Sequence, residues 1–252
     1  MRVALFIPCY VDQLTPGVGV ATLKLLRGLG VDVHYPPAQS CCGQPGGNCG
    51  ATTALLPAVR HFAEVFDGFD HIVCPSGSCV AMVRVQYPRL SPDARVARVA
   101  SRCLELCEFL TDVLRVERIE ASLPRRVALL DSCHGLRELG LGVPSECHAA
   151  CGEDGAPPVS KPERLLSMVE GLSLVRPERP DECCGFGGTF AVTHGALSAH
   201  MGQARLRALR ACGAELLVGT DVSCLLHLSS LAEHAGTPLP TAHIAQVLSG
   251  MA

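Results

Sequence analysis

The sequence has no tryptophan and few other aromatic residues, with three tyrosines and seven phenylalanines among 252 residues. Because 48% of the residues are hydrophobic, the core must be mostly aliphatic, arranged as one large domain or two small ones. No apolar run reaches the roughly 18 residues that indicate a membrane span. The first residues also lack the long apolar region of a signal peptide, so the sequence predicts a cytoplasmic protein without a membrane span.

Charge of one sign is not concentrated anywhere in the chain. The formal net charge is -3. The densest basic group, Arg205, Arg207 and Arg210, is typical of the solvated face of a helix. Neither a nucleic acid nor an anionic membrane is therefore predicted as a partner.

Cysteine, by contrast, is abundant. The chain has 15 cysteines, an odd number that excludes a fully paired disulfide framework. In a reducing compartment, so many thiols are typical of metal binding or catalysis.

Two triplets of sequence Cys-Cys-Gly stand out among them, at residues 41–43 and 183–185. A disulfide between adjacent cysteines would be strained, and adjacent thiolates suit a single tetrahedral zinc poorly. Two such thiolates can instead bind separate irons of a cluster. Because glycine opens positive φ and lets the backbone approach a bulky group, Gly43 and Gly185 are predicted cofactor-binding positions.

The chain repeats one plan twice. Residues 2–9 are echoed by residues 126–133, and each half has three short apolar runs that lead into cysteine. Strands that alternate with helical segments predict an α/β fold with short, mainly parallel sheets. We therefore expect two pseudo-symmetric βαβ-type halves, residues 1–120 and 121–252, with cysteines at the C-terminal strand ends.

Helical periodicity indicates the segments between the strands. The predicted helices span residues 15–29, 52–66, 101–114, 196–212 and 242–248. The predicted buried face of the fourth consists of Leu197, Met201, Ala204, Ala208 and Ala211. Residues 146–161, rich in glycine, proline and polar residues, are predicted to form an irregular surface excursion.

Four cysteines in each half occupy matching positions of the repeat. The predicted metal ligands are Cys9, Cys41, Cys42 and Cys79 in the first half, and Cys133, Cys183, Cys184 and Cys224 in the second. Four thiolates fill one [4Fe–4S] cluster, so the sequence predicts two such clusters. The carboxyl ends of parallel strands would bring each set together. Structural zinc and buried core cysteines stay open as alternatives.

Other residues are weaker candidates. Cys74 and Cys49 lie near the first set, and either could be a fifth thiolate. Cys103 and Cys107 would share one face of a predicted helix and are interpreted as core residues. His134 and His194, close to predicted ligands, could donate to a cluster sulfide or serve only as capping or surface residues.

Four blocks of the sequence resemble the duplicated cysteine-rich CCG domain of the lactate utilization protein A family. They are residues 41–45, 74–79, 133–140 and 183–190. The same domain is found in heterodisulfide reductase and in the iron–sulfur component of glycolate oxidase. The resemblance implies an iron–sulfur electron-transfer subunit that works with other lactate utilization proteins in the oxidation of L-lactate to pyruvate.

One departure from the related heterodisulfide reductase bears on function. In that reductase each CCG half ends in Cys-x-x-Cys, and five thiolates hold an unusual cluster. The first of these cysteines is replaced here by Ser76 and by Asp221. Four-thiolate clusters and electron transfer are therefore expected, and the alternatives are a thiol–disulfide oxidoreductase that uses Cys74 and a zinc-stabilised scaffold.

Overall fold

Two parallel four-stranded sheets organise the chain, one in each half. The computed structural model describes residues 1–148 and 159–252. The strands are β1 (Arg2–Leu5), β2 (Asp32–His34), β3 (His71–Cys74), β4 (Cys103–Glu105), β5 (Arg126–Leu130), β6 (Ser173–Val175), β7 (Leu216–Gly219) and β8 (Thr241–His243). Their orders are β2-β1-β3-β4 and β6-β5-β7-β8, and every pairing is parallel. The predicted α/β fold with two similar halves is confirmed.

Helices connect the strands. They are α1 (Cys9–Leu14), α2 (Pro16–Gly28), α3 (Gln44–Asn48), α4 (Thr52–Phe66), α5 (Gly77–Ala81), α6 (Tyr87–Leu90), α7 (Ala94–Ala100), α8 (Leu106–Glu108), α9 (Lys161–Leu166), α10 (Thr189–Thr193), α11 (Gly195–Ala211), α12 (Val222–His234) and α13 (Ile244–Leu248). Wider π-helical turns continue α5 over Met82–Gln86 and α8 over Phe109–Val113, and a third spans His134–Glu138.

One hydrophobic core is shared by both halves. Val3 of β1 and Val127 of β5 belong to the same buried cluster, together with Ile244 of α13. Helix α13 of the second half packs against α2 of the first. A smaller cluster adds Val11 and Val18 of the first half to Val222 of the second. The two halves therefore bury apolar surface against each other as well as within themselves.

Two of the predicted helices begin with a strand instead. Cys103 starts β4, which pairs in register with β3, and β8 pairs in the same way with β7. Cys103 and Cys107 therefore do not share a helix face, although both are fully buried. Each of these strands runs directly into a helix, at Leu106 and at Ile244, so its few apolar residues extend the helical pattern in the sequence.

The predicted faces of α11 are also wrong. The helix buries Ser198, Gly202, Arg205, Leu206 and Leu209, whereas Leu197 is 54% exposed. Gly202 packs so closely on Leu231 of α12 that a Cβ there would overlap the leucine side chain. Arg205 is completely buried rather than solvated, because its guanidinium donates to the backbone carbonyl oxygens of Arg179 and Pro180.

Part of the predicted surface excursion, residues 149–158 with Cys151, lies outside the described residues. Before it, Ser145–Cys147 form a short 3₁₀ turn, and Cys147 is exposed. In the described part of the chain, no helix combines the length and the apolar character needed to cross a membrane.

Candidate metal centre

All eight predicted ligand cysteines line one cavity of about 640 Å³ between the two halves. In the first half, Cys9 begins α1 soon after β1, and Cys79 lies in the first turn of α5 after β3. In the second half, Cys133 and Cys224 take the equivalent places after β5 and β7. The parallel strands direct these connections to the same side of each sheet, as the sequence predicts.

The first set forms a continuous chain of thiol contacts. The Sγ atoms of Cys9 and Cys41 are 3.5 Å apart, and Cys42 contacts both Cys41 and Cys79. Hydrogen bonds from Cys42 and Cys9 lower the pKa of the Cys41 thiol, and the same contacts raise the pKa values of those two donors. One sulfur in the set is therefore favoured as a thiolate, which is the form that binds metals.

The second set repeats this arrangement. Hydrogen bonds from Cys133 and Cys184 lower the pKa of Cys183, and Cys184 donates to Cys224 with an Sγ–Sγ distance of 3.1 Å. The pKa values of Cys133 and Cys184 are raised, first of all by their contacts with Cys183. The direction of the pKa shift thus matches between the halves at three equivalent pairs: Cys9 and Cys133, Cys41 and Cys183, and Cys42 and Cys184.

The glycine after each cysteine pair contributes through its backbone. The N–H of Gly43 donates to Cys41 Sγ at 3.4 Å, and that of Gly185 to Cys183 Sγ at 3.3 Å. Both glycines have positive φ, 78° and 89°. A Cβ at Gly43 would meet Leu55 of α4, and one at Gly185 would meet the carbonyl oxygen of Ser198 in α11. The turn and the packing of these helices therefore require glycine, and direct contact of either residue with a cofactor stays a prediction.

Two buried side chains support the cysteine loops and were missed at the level of sequence. The Tyr87 hydroxyl donates to the carbonyl oxygen of Cys42 at 2.9 Å. Arg205 holds the carbonyls of the loop that leads into Cys183, and burial lowers the pKa of its guanidinium. A lone tyrosine and an arginine on a helix carry no sequence signal for such roles.

The weaker candidates lie in different places. Cys74 is completely buried, and Cys49 is exposed, and neither lines the cavity. His134 does line it, with Nε2 3.1 Å from Nε2 of Gln44 in the other half. His194 is not among the lining residues and instead packs on Phe190.

Four thiols in each set are donors that both zinc and an iron–sulfur cluster accept. Within residues 1–148 and 159–252, no three His, Cys, Asp or Glu side chains are grouped so as to hold one metal ion. A four-iron cluster would take one thiolate on each iron. Each half contributes four free thiols to the shared cavity, which is compatible with that chemistry.

Comparison with known proteins gives the class first. The cysteine-rich domain family, CCG, matches the chain twice, over residues 3–84 and 127–229. The two matches define a protein with a duplicated cysteine-rich domain.

Two similar proteins narrow the family. Lactate utilization protein A of Anoxybacillus flavithermus is 37% identical over 254 residues, and that of Geobacillus kaustophilus is 38% identical, each alignment covering 99% of both chains. The chain belongs to the lactate utilization protein A family.

A crystal structure of a hypothetical protein from Helicobacter pylori shares the fold. It superposes with a TM-score of 0.60 at 12% identity, over 99% of this chain. The chain spans about half of that longer protein, 49% of its length.

Proposed function

We propose that the chain is an iron–sulfur electron-transfer subunit of a system that oxidises L-lactate to pyruvate. The observation that carries this proposal is the pair of equivalent four-thiol sets around one cavity. A bound [4Fe–4S] cluster would supply one-electron transfer. The connection to lactate comes from the name of the relatives, lactate utilization protein A.

The residues of the chain have defined tasks in this proposal. Cys9, Cys41, Cys42 and Cys79 would hold one cluster, and Cys133, Cys183, Cys184 and Cys224 the other. The Gly43 and Gly185 N–H groups donate to thiolate sulfur, which favours the ionised ligand and raises the reduction potential of a bound cluster. Tyr10 and Phe186, in edge contact, form part of the cavity wall around these thiols.

The partners belong to the same proposal. Other lactate utilization proteins would take electrons from lactate and deliver them to this chain, or accept electrons from it. These steps would take place in the cytoplasm. Two alternatives compete with it. The zinc-stabilised scaffold needs a single-ion donor group, and the thiol–disulfide oxidoreductase needs an accessible Cys74, which is fully buried.

Metal analysis after anaerobic purification tests the proposal. We expect about eight irons and as many sulfides per chain, with an EPR signal on reduction. Cys42→Ser and Cys184→Ser should each lose about half of the iron, because they disrupt different sets. Cys212→Ser is the matched control, since that thiol lies outside the cavity and donates to the Leu209 carbonyl. A chain without iron but with stoichiometric zinc would overturn the proposal.

The lactate assignment has its own test. Lactate should reduce the clusters only when the other lactate utilization proteins are present, as followed by EPR. Reduction by lactate of this chain alone would contradict a purely electron-carrying role.

A further inference from the structure

Ser76 and Asp221, which replace the first cysteine of the Cys-x-x-Cys pairs, contact each other across the two halves. Each is the N-cap of a helix that carries a predicted ligand three residues later, Cys79 in α5 and Cys224 in α12. Both residues are 4% exposed and line the cavity. The Ser76 hydroxyl donates to Asp221 Oδ2 at 3.1 Å.

The Asp221 carboxylate has four donors, two from each half. Its Oδ1 accepts from the Ser223 N–H at 3.2 Å and the Ser223 hydroxyl at 2.6 Å. Its Oδ2 accepts from the Ser76 hydroxyl and from the Ser78 N–H at 3.0 Å. An ionised carboxylate only accepts hydrogen bonds and has about four sites for them, so this surrounding fits the charged form.

One carboxylate therefore caps two helices. Ser76 also accepts the Cys79 N–H at 3.4 Å, so a hydrogen-bonded path runs from Cys79 through Ser76 to Asp221. The first turns that carry Cys79 and Cys224 are thereby tied to the same side chain. The serine side chain is shorter, and its hydroxyl is already engaged with Cys79 and Asp221, so the bridge depends on the aspartate.

We propose that Asp221 is a positioning residue that fixes the two four-cysteine sets relative to each other, and that its charge lowers the reduction potentials of clusters bound there. The second part rests on the proposed function, and the first does not. The positions that hold a thiolate in the related reductase thus serve here as a connection between the halves.

A double-mutant cycle on the full chain tests the connection. Ser76→Ala, Asp221→Asn and the double variant would be unfolded in urea, with iron removed from all samples. We expect the two substitutions to couple at least about fivefold in the unfolding equilibrium constant, as contacting residues do. Asp93→Asn is the matched control, because Asp93 caps α7 within one half and accepts the nearby Arg95 N–H. Ser76→Ala should combine additively with it. Additivity with Asp221→Asn would overturn the positioning role.

The iron-loaded protein tests the electrostatic part. In a redox titration followed by EPR, Asp221→Asn should make both clusters easier to reduce. The expected increase in the reduction equilibrium constant is several-fold to tenfold, and tenfold raises the midpoint potential by about 59 mV for one electron. Ser76→Ala retains the charge and should alter mainly the magnetic interaction between the reduced clusters, whereas Asp93→Asn should change neither. Unchanged potentials in Asp221→Asn at full iron content would overturn this part. A wild-type chain without iron would instead refute the proposed function, and the cycle would still decide the connection.

Discussion

The first half of the chain packs its sheet with aromatic side chains, whereas the second half builds the equivalent layer from aliphatic ones. Phe62 contacts Phe6, Phe66 and Tyr87 with ring centroids 4.4–5.5 Å apart. The corresponding cluster of the second half contains Leu206, Leu209, Leu217, Leu225 and Leu228. The same strand order and the same thiol sets are thus compatible with different core residues in the two halves.

The halves agree where the strands end and differ elsewhere. The carboxyl ends carry the same cysteines, the same Cys-Cys-Gly turn and an N-cap before the last cysteine of each set. A packed layer needs only the right volume and apolarity, so its residue types can drift. A set of four thiols around one group needs each position to be kept.

The largest effects are expected when a buried core side chain is truncated in either half. These variants also test whether the two halves unfold together or independently. Phe66 and Leu209 are both completely buried, one in each half-specific cluster. Phe66→Ala should lower the free energy of unfolding by about 3–5 kcal/mol and Leu209→Ala by about 2–5 kcal/mol. Because the halves share a core, urea unfolding should stay a single transition in both variants. Two separated transitions would show that each half folds alone.

The two glycines of the cysteine turns should respond unequally to alanine. Both have positive φ, so each substitution costs about 1–2 kcal/mol of backbone strain. At Gly43 the new Cβ would meet only the end of the Leu55 side chain, at 2.7 Å, which can move. At Gly185 it would meet the Ser198 carbonyl oxygen at 2.5 Å, which belongs to the backbone of α11. Urea unfolding should therefore show a larger loss for Gly185→Ala, and equal losses would contradict this account.

The fold could be predicted from the sequence because the same order of strands and cysteines occurs twice. Strand runs before Cys9 and Cys133, and before Cys79 and Cys224, were enough to predict parallel sheets and the convergence of the eight cysteines. Strands β4 and β8 were missed, because each runs directly into a helix and its apolar residues extend the helical pattern. The buried face of α11 was missed because an arginine lies in its centre, and only the tertiary partners of Arg205 reveal why. Likewise, the sequence marks Ser76 and Asp221 as exceptions but not as a bonded pair.

The last helix of each half begins at a buried titratable N-cap, and the two should give opposite pH dependences. Burial raises the pKa of Glu105 from 4.5 to about 8. Between these values the unfolded carboxyl is ionised while the folded one keeps its proton, so the free energy of unfolding falls as pH rises, by up to about 1.4 kcal/mol per pH unit.

His243 behaves in the reverse sense. Burial lowers its pKa from 6.5 to about 4, so the unfolded ring gains a proton first and stability falls as pH falls through this range. In urea unfolding across pH, Glu105→Gln should remove the loss of stability that occurs as pH rises from 4.5 to about 8. His243→Asn should remove the loss that occurs as pH falls from 6.5 to about 4. Each replacement retains an acceptor for the backbone N–H that is capped, Cys107 or Ala245. A variant that removes the loss of the opposite sign would contradict the assignment.

The smallest effect is expected at Cys74, the last residue of β3, whose counterpart at the end of β7 is Gly219. Cys74 pairs in register with Glu105, as Gly219 does with His243, so the second half has no thiol at this place. The Cys74 side chain is completely buried, and burial raises its pKa well above the usual range, which makes it a protonated, inaccessible thiol.

Cys74→Ala should therefore leave the iron content unchanged and cost about 1 kcal/mol of stability. Cys79→Ala, five residues further along, should lose the first cluster, and iron analysis of the two variants side by side checks the contrast. If Cys74→Ala lost iron, or abolished a heterodisulfide reduction that the wild type performs, Cys74 would be a fifth ligand. Direct disulfide chemistry would then belong to the first half alone, because Gly219 offers no thiol in the second.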